Sequence, residues 1–300
     1  FDKVIQNEVD SYSLGYAYRA LGEIAKAQPK LADNVLQVID KAVQSDENDR
    51  ISLGYVYRAL GEIAKAQPAL ADKVLQMVDR NMQSGKNNTF SLEDAYRTLG
   101  EITKAQPALA NEVLQVLDRN MDKNDGNSLG ITYQALGEIA KEQPGLADKV
   151  FQMFDKLVQS DGNNGNALDA AYRTLGEIAK GQPGLADKVF QMFDKVVQSD
   201  RNNSVILGYA YQALGEIAKE QPELADKVFQ MFDKVIQNEV DSYSLGYAYP
   251  ALGEIVKEQP ELADKVFQMF DKVVQSDKNR SFLGDVYEIL GEIAKEQPEL

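Results

Sequence analysis

The sequence predicts an all-α chain: an alpha-alpha superhelix, or solenoid, of helix-hairpin repeats of about 38 residues. Three observations predict it. The string Leu-Gly-Glu-Ile occurs eight times, with its glycines at 22, 61, 100, 137, 176, 215, 253 and 291. Their successive spacings are 39, 39, 37, 39, 39, 38 and 38 residues. A Gln-Pro pair follows each copy at a fixed distance, with prolines at 29, 68, 107, 144, 183, 222, 260 and 298. Between these marks the apolar residues recur at helical spacing.

Each repeat reads as two helices. The first runs from about Ser13 to Lys26, with Ser13, Ser52, Ser91, Ser128 and Ser244 expected as N-cap acceptors just ahead of the repeated leucine. It stops at Gln28-Pro29, because the residue before a proline is pushed out of the helical region. Pro29 suits the first turn of the second helix, where its missing N–H is not needed. That helix reaches about Gln44. Polar turn formers follow, as in Ser45 to Arg50 and Ser160 to Gly165.

On a helical wheel Leu14, Ala17, Tyr18, Ala20, Leu21, Ile24 and Ala25 share one arc of about 160°, opposite Tyr16, Arg19, Glu23 and Lys26. In the second helix Leu31, Ala32, Val35, Leu36, Val38, Ile39, Ala42 and Val43 do the same, opposite Asp33, Gln37, Asp40, Lys41 and Gln44. Faces this wide need cover on more than one side, which stacked neighbours supply and an isolated pair could not. Gly15 and Gly22 lie at the border of the apolar arc, where the lack of a side chain lets an adjacent helix approach closely, at about 1 kcal/mol each in helix propensity.

The repeat boundaries follow. Residues 1–12 are a partial repeat, a second helix; 13–51, 52–90, 91–127, 128–166, 167–205, 206–243 and 244–281 are full repeats; 282–300 is a partial repeat, a first helix. Phe1 to Tyr18 are identical to Phe232 to Tyr249, and the chain starts and stops inside a helix pair. The expectation is a fragment of a longer array whose open ends associate head to tail, with Leu283, Tyr287, Leu290 and Ile293 short of cover.

Ala20-Leu21-Gly22-Glu23-Ile24-Ala25-Lys26, then Pro29, Leu31-Ala32 and Val35-Leu36, resembles HEAT repeats, which are helix hairpins joined by a proline-marked turn. The resemblance covers nearly the whole chain. The Asp and Arg pair that often forms a ladder in that family is not evident. Leu14-Gly15-x-x-Tyr18 is also similar to tetratricopeptide repeats, whose period is shorter, about 34 residues.

Composition excludes much of chemistry. With no histidine and no cysteine, Ser-His and Cys-His nucleophiles, the usual zinc sites and disulfides are ruled out. Neither glycine-rich phosphate motif is present, and no cofactor is expected. Glu23 and its counterparts precede a lysine by three residues in all eight copies, the pattern of exposed ion pairs and not of one catalytic site. The loop Asp122-Lys123-Asn124-Asp125-Gly126-Asn127 departs from a calcium loop: its glycine falls one place early, and Tyr133 stands where a bidentate glutamate belongs. The chain is expected to be no enzyme. A net charge of −15 without any basic run disfavours nucleic acid. No stretch has the length and apolarity of a membrane span and no signal peptide opens the sequence, so a cytoplasmic location is expected.

Two faces remain as candidate binding surfaces. On the first helix the place of Tyr16 is held by Tyr55, Asp94, Ile131, Ala170, Tyr209, Tyr247 and Asp285, and that of Arg19 by Arg58, Arg97, Gln134, Arg173, Gln212, Pro250 and Glu288. Exposed tyrosines and arginines are the types enriched in binding hot spots. On the second helix the polar places barely change: Asp33, Gln37, Asp40 and Gln44, then Asp187, Gln191, Asp194 and Gln198. HEAT-like geometry would line a concave side with them, an acidic, amide-rich groove able to hold a basic or extended segment, or else a solubilising ladder. The expected function is a non-catalytic scaffold binding a protein or extended peptide; the other reading is a structural spacer or self-assembling array.

Overall fold

The structure is a computed structural model that describes residues 11–44, 50–84, 87–120, 126–160, 165–199, 204–237, 245–276 and 283–296. Among these every regular element is helical: α1 (Ser11–Ala27), α2 (Ala32–Gln44), α3 (Arg50–Ala66), α4 (Ala71–Gln83), α5 (Thr89–Ala105), α6 (Ala110–Asn120), α7 (Gly126–Glu142), α8 (Ala147–Ser160), α9 (Gly165–Gly181), α10 (Ala186–Ser199), α11 (Ser204–Glu220), α12 (Ala225–Gln237), α13 (Leu245–Glu258), α14 (Ala263–Ser276) and α15 (Leu283–Glu296). Odd-numbered helices are the first of each pair and even-numbered ones the second. No described helix is long and apolar enough to cross a membrane. Contacts divide the chain into two units, Phe1–Met153 and Phe154–Leu300.

The proline-marked turn is a single 3-10 turn, not yet the α-helix the sequence suggested. Pro29–Leu31, Pro68–Leu70 and Pro107–Leu109 each form one, and the α-helix opens at the following alanine. Gln28 takes φ −130° and ψ 82°, outside the helical region as a residue before proline must be. In the second unit the same glutamine has a further task. Gln221 Nε2 donates to the Lys180 carbonyl at 3.1 Å, and Gln259 Nε2 to the Lys219 carbonyl at 2.7 Å, so each satisfies a carbonyl at the C-terminal end of the preceding repeat's first helix.

The serine caps are corrected. The N-cap of α5 is Asn88, whose side chain accepts from Ser91 N at 2.9 Å while Ser91 Oγ accepts from Asn88 N at 2.9 Å. Ser91 is thus the third helical residue of a capping box, and Ser13, Ser52 and Ser128 are likewise third in their helices. Ser244, most of the Asp122–Asn127 loop, residues 1–10 and the loops 45–49 and 161–164 lie outside the described residues.

In the first unit α1 packs on α3, α3 on α5 and α5 on α7; in the second, α9 packs on α11, α11 on α13 and α13 on α15. Glycine sets how close these first helices come. A Cβ built on Gly22 would sit 3.3 Å from Ala59 Cα, and one on Gly15 would fall 2.5 Å from the Tyr55 ring. Second helices touch far less, α2 to α4 in the first unit and α10 to α12 in the second.

The core is most of the predicted one, with Ala20, Ile24 and Val38 only half-buried. Leu14, Ala17, Tyr18, Leu21 and Ala25 are buried, as are Ala32, Val35, Leu36, Ile39, Ala42 and Val43; Leu31 is 38% exposed in its 3-10 turn. Seven tyrosines of the Tyr18 type, at 18, 57, 96, 133, 172, 211 and 249, are wholly buried. In the second unit Tyr172 lies 5.4 Å from Phe193 and Tyr211 5.2 Å from Phe232, ring to ring, which locks each first helix onto its partner. Tyr287 is the exception at 69% exposed; Leu283 and Leu290 are half-buried, and Ile293 is buried. Pro250 lies on the exposed face of α13, which is continuous from Leu245 to Glu258.

Candidate functional site

The first helices of the first unit form a groove of about 470 Å³ lined by Arg19, Gly22 and Glu23 of α1, Tyr55, Arg58, Ala59, Gly61, Glu62 and Lys65 of α3, and Asp94, Arg97, Thr98 and Glu101 of α5. Its origin is visible in the repeat. Gly22 and Gly61 lie in its floor, where a Cβ would meet Ala59 Cα at 3.3 Å and Thr98 Oγ1 at 3.3 Å, so neighbouring helices meet closely along that row. Arg19, Arg58 and Arg97, one turn before these glycines, stand along one side. Glu23, Glu62 and Glu101, one residue after the glycine place, stand along the other.

Four of the sequence-predicted residues meet there: Arg19, Tyr55, Arg58 and Arg97. Arg58 Nε donates to Asp94 Oδ1 at 2.8 Å, and its guanidinium lies 5.6 Å from the Tyr55 ring centroid, a cation–π arrangement. The hydrogen bond to Asp94 raises the Arg58 pKa above the ordinary guanidinium value. Lys65 lies 3.2 Å from Glu62 and 3.3 Å from Glu101. Partial burial works against its charge, but hydrogen bonds and attraction to those carboxylates raise its pKa.

Asp94 is the residue that sequence reasoning placed wrongly. It occupies the Tyr16 place, read as exposed, yet its side chain is only 6% exposed. The residue at this place leans onto the previous repeat: Tyr55 over Gly15, Asp94 over Gly54, Tyr247 over Gly208. The tyrosines are corrected for the same reason. Tyr16 is 70% exposed, whereas Tyr55, Tyr209 and Tyr247 are half-buried. Neither Tyr16 nor Tyr247 is among the residues lining the groove of about 470 Å³. Tyr209 and Arg173 line a smaller one of about 250 Å³ in the second unit, where Arg173 pairs with Asp169 of its own helix at 2.8 Å.

The second-helix face carries the ladder that the sequence did not make evident. In the first unit Asp33 pairs with Lys73 at 2.5 Å, Asp40 with Arg80, and Asp79 with Arg119 at 2.8 Å. In the second, Asp155 pairs with Lys195, Asp187 with Lys227 at 2.6 Å, Asp194 with Lys234 at 3.1 Å, Asp226 with Lys265 at 2.5 Å and Asp233 with Lys272 at 2.6 Å. Each carboxylate meets the cation that directly follows its own counterpart in the next repeat. Asp187, Gln191 and Asp194 line a shallow groove of about 350 Å³ together with Lys227 and Lys234; Gln37 is exposed on α2. The surface there alternates in charge.

Helix pairs of this period, proline-marked turns and side-by-side first helices give each unit the fold of an all-α repeat solenoid, similar to HEAT repeats. No protein-family model and no curated protein sequence matches the chain. Among solved structures it is similar to a homology model of the full-length AP-3 complex in an intermediate open conformation, with a TM-score of 0.70 and 12% identity over 95% of this chain and 49% of that one. It is also similar to yeast importin-beta (Kap95p), with a TM-score of 0.57 and 10% identity over 99% of this chain and 44% of that one. The chain therefore spans about half the length of each, and at such identities the likeness is one of fold.

Proposed function

We propose that this chain is a non-catalytic protein-interaction scaffold that takes an extended segment of a partner protein across the first helices of its first unit. The observation that carries the reading is the groove itself. Its floor is set by a glycine row that the packing requires, while its rim holds Tyr55 and three exposed arginines. Residue types that dominate binding energy thus project from a rigid, repeated support. Similarity of fold to a model of the AP-3 complex and to yeast importin-beta is compatible with a scaffold and names no partner.

Selection from a random-peptide display library on the immobilised full chain tests this. Enriched peptides should bind with micromolar or tighter affinity and change in affinity at least fivefold, in either direction, on Arg97→Gln. The other reading, a spacer or self-assembling array, calls for no enrichment together with a mass that grows with concentration in light scattering, and that result would overturn the proposal.

A further inference from the structure

The charges of the two faces are committed differently. On the second helices each carboxylate of the ladder already faces a lysine or arginine one repeat on, so a basic ligand would have to displace a cation to gain one. In the groove every lining acid except the exposed Glu23 is already held by a cation, while two of the guanidiniums are not committed. Lys65 is shared by Glu62 and Glu101, and Asp94 is taken by Arg58. Arg97 reaches only that same Asp94, at 3.9 Å. Arg19 is exposed and has no carboxylate within 4.0 Å among the described residues. The guanidiniums at the two ends of the row are therefore open to an incoming acid.

Building on the scaffold reading above, we infer that the groove's ligand is an extended acidic peptide, with a carboxylate at every third residue and its two outer carboxylates held by Arg19 and Arg97. A guanidinium presents a planar fork that a carboxylate matches with two charge-assisted hydrogen bonds. The net charge of −15 does not forbid this, because at physiological salt charges beyond about 8 Å are largely screened.

Spacing follows from the packing. Neighbouring helices lie about 8 to 10 Å apart, so side chains of the same register recur at that interval across α1, α3 and α5. An extended chain advances about 3.3 Å per residue and a polyproline-type chain about 3.1 Å. Three residues then match one helix-to-helix step, and two fall short by a third. The central carboxylate meets Arg58, which Asp94 already holds, so the outer two supply most of the affinity.

The test is fluorescence anisotropy with the full chain and three labelled peptides of one length: aspartate at every third residue, the same composition with aspartate at every second, and the first pattern in lysine. Expected is binding of the first peptide about tenfold tighter than either other, weakening as salt rises. R19Q/R97Q should weaken it about tenfold, as two exposed ion pairs would. K30Q/K41Q, which makes the same charge change elsewhere, should not. Circular dichroism should be unchanged in both variants. Equal affinity for both aspartate spacings overturns the inference, as does indifference to R19Q/R97Q. If the lysine peptide binds best and R19Q/R97Q strengthens it, the inference fails while the scaffold reading stands. If no peptide of any charge binds, in display or in solution, both fail.

Discussion

Gly208→Ala isolates the contact that sets the distance between neighbouring first helices. Within a helix, alanine for glycine alone stabilises by about 1 kcal/mol. Here the new Cβ would lie 2.5, 2.8 and 3.0 Å from Cδ2, Cγ and Cε2 of Tyr247, so the ring must leave its rotamer or its helix must shift. Overpacking of this kind costs about 1 to 3 kcal/mol, so a net loss of about 1 kcal/mol is expected. Removing the ring reverses the sign: in a Tyr247→Ala background Gly208→Ala should stabilise by about 1 kcal/mol. The double-mutant cycle should therefore give a coupling of about 2 kcal/mol, read by urea unfolding followed by circular dichroism. If Gly208→Ala stabilises equally in both backgrounds, the ring does not rest on the glycine and the packing argument is refuted.

The same reasoning separates glycines that look alike in sequence. A Cβ at Gly100 meets only Ala135 Cα at 3.8 Å, whereas one at Gly215 lies 3.0 Å from Ala251 Cβ and 3.4 Å from its Cα and carbonyl; Gly100→Ala should raise the unfolding midpoint and Gly215→Ala lower it. Asn87 accepts from the Tyr57 hydroxyl at 2.9 Å and donates to the Asn81 carbonyl at 2.8 Å, so Asn87→Ala should cost about 1 to 3 kcal/mol in denaturant unfolding. Pro250→Arg should restore a hydrogen bond inside α13 and raise the thermal midpoint, by an amount bounded by the roughly 3 kcal/mol cost of an interior proline. Glu138 is partly buried, which raises its pKa, but hydrogen bonds from Lys141 and Lys104 outweigh this and leave it below the ordinary carboxylate value. Its contribution is present above the unfolded-state pKa and is lost as pH falls through the folded one; acid titration of stability should be shallower in Glu138→Gln.

Much of this was legible in the sequence because a repeat reports its own geometry. The phase of Leu14, Tyr18 and Leu21 against Arg19 and Glu23 fixed which face each first helix buries, and the recurring Gly22 place announced a close neighbour. What escaped needed the register between repeats. Asp33 and Lys73 lie 40 residues apart, so their pairing follows only once adjacent second helices are offset by one residue; the recurring Asp-Lys and Asp-Arg pairs, such as Asp40-Lys41 and Asp79-Arg80, were the available signal. Tyr55 and Asp94 sit on the polar side of their own helices and are covered by the neighbouring one, which a single-helix wheel does not contain. Ser91 precedes the apolar run as a cap would, but α5 starts two residues earlier, where Asn88 and Ser91 close a reciprocal pair.

The central claim is that a partner segment lies across the first helices of the first unit. Hydrogen–deuterium exchange with mass spectrometry, on the full chain with and without a saturating display-selected peptide, measures this most directly. The account predicts slowed exchange in α1, α3 and α5, concentrated around residues 19–26, 55–65 and 94–104, with α2, α4 and α6 unchanged. Protection confined to the second helices, along the ladder of Asp33, Asp40 and Asp79, would contradict it.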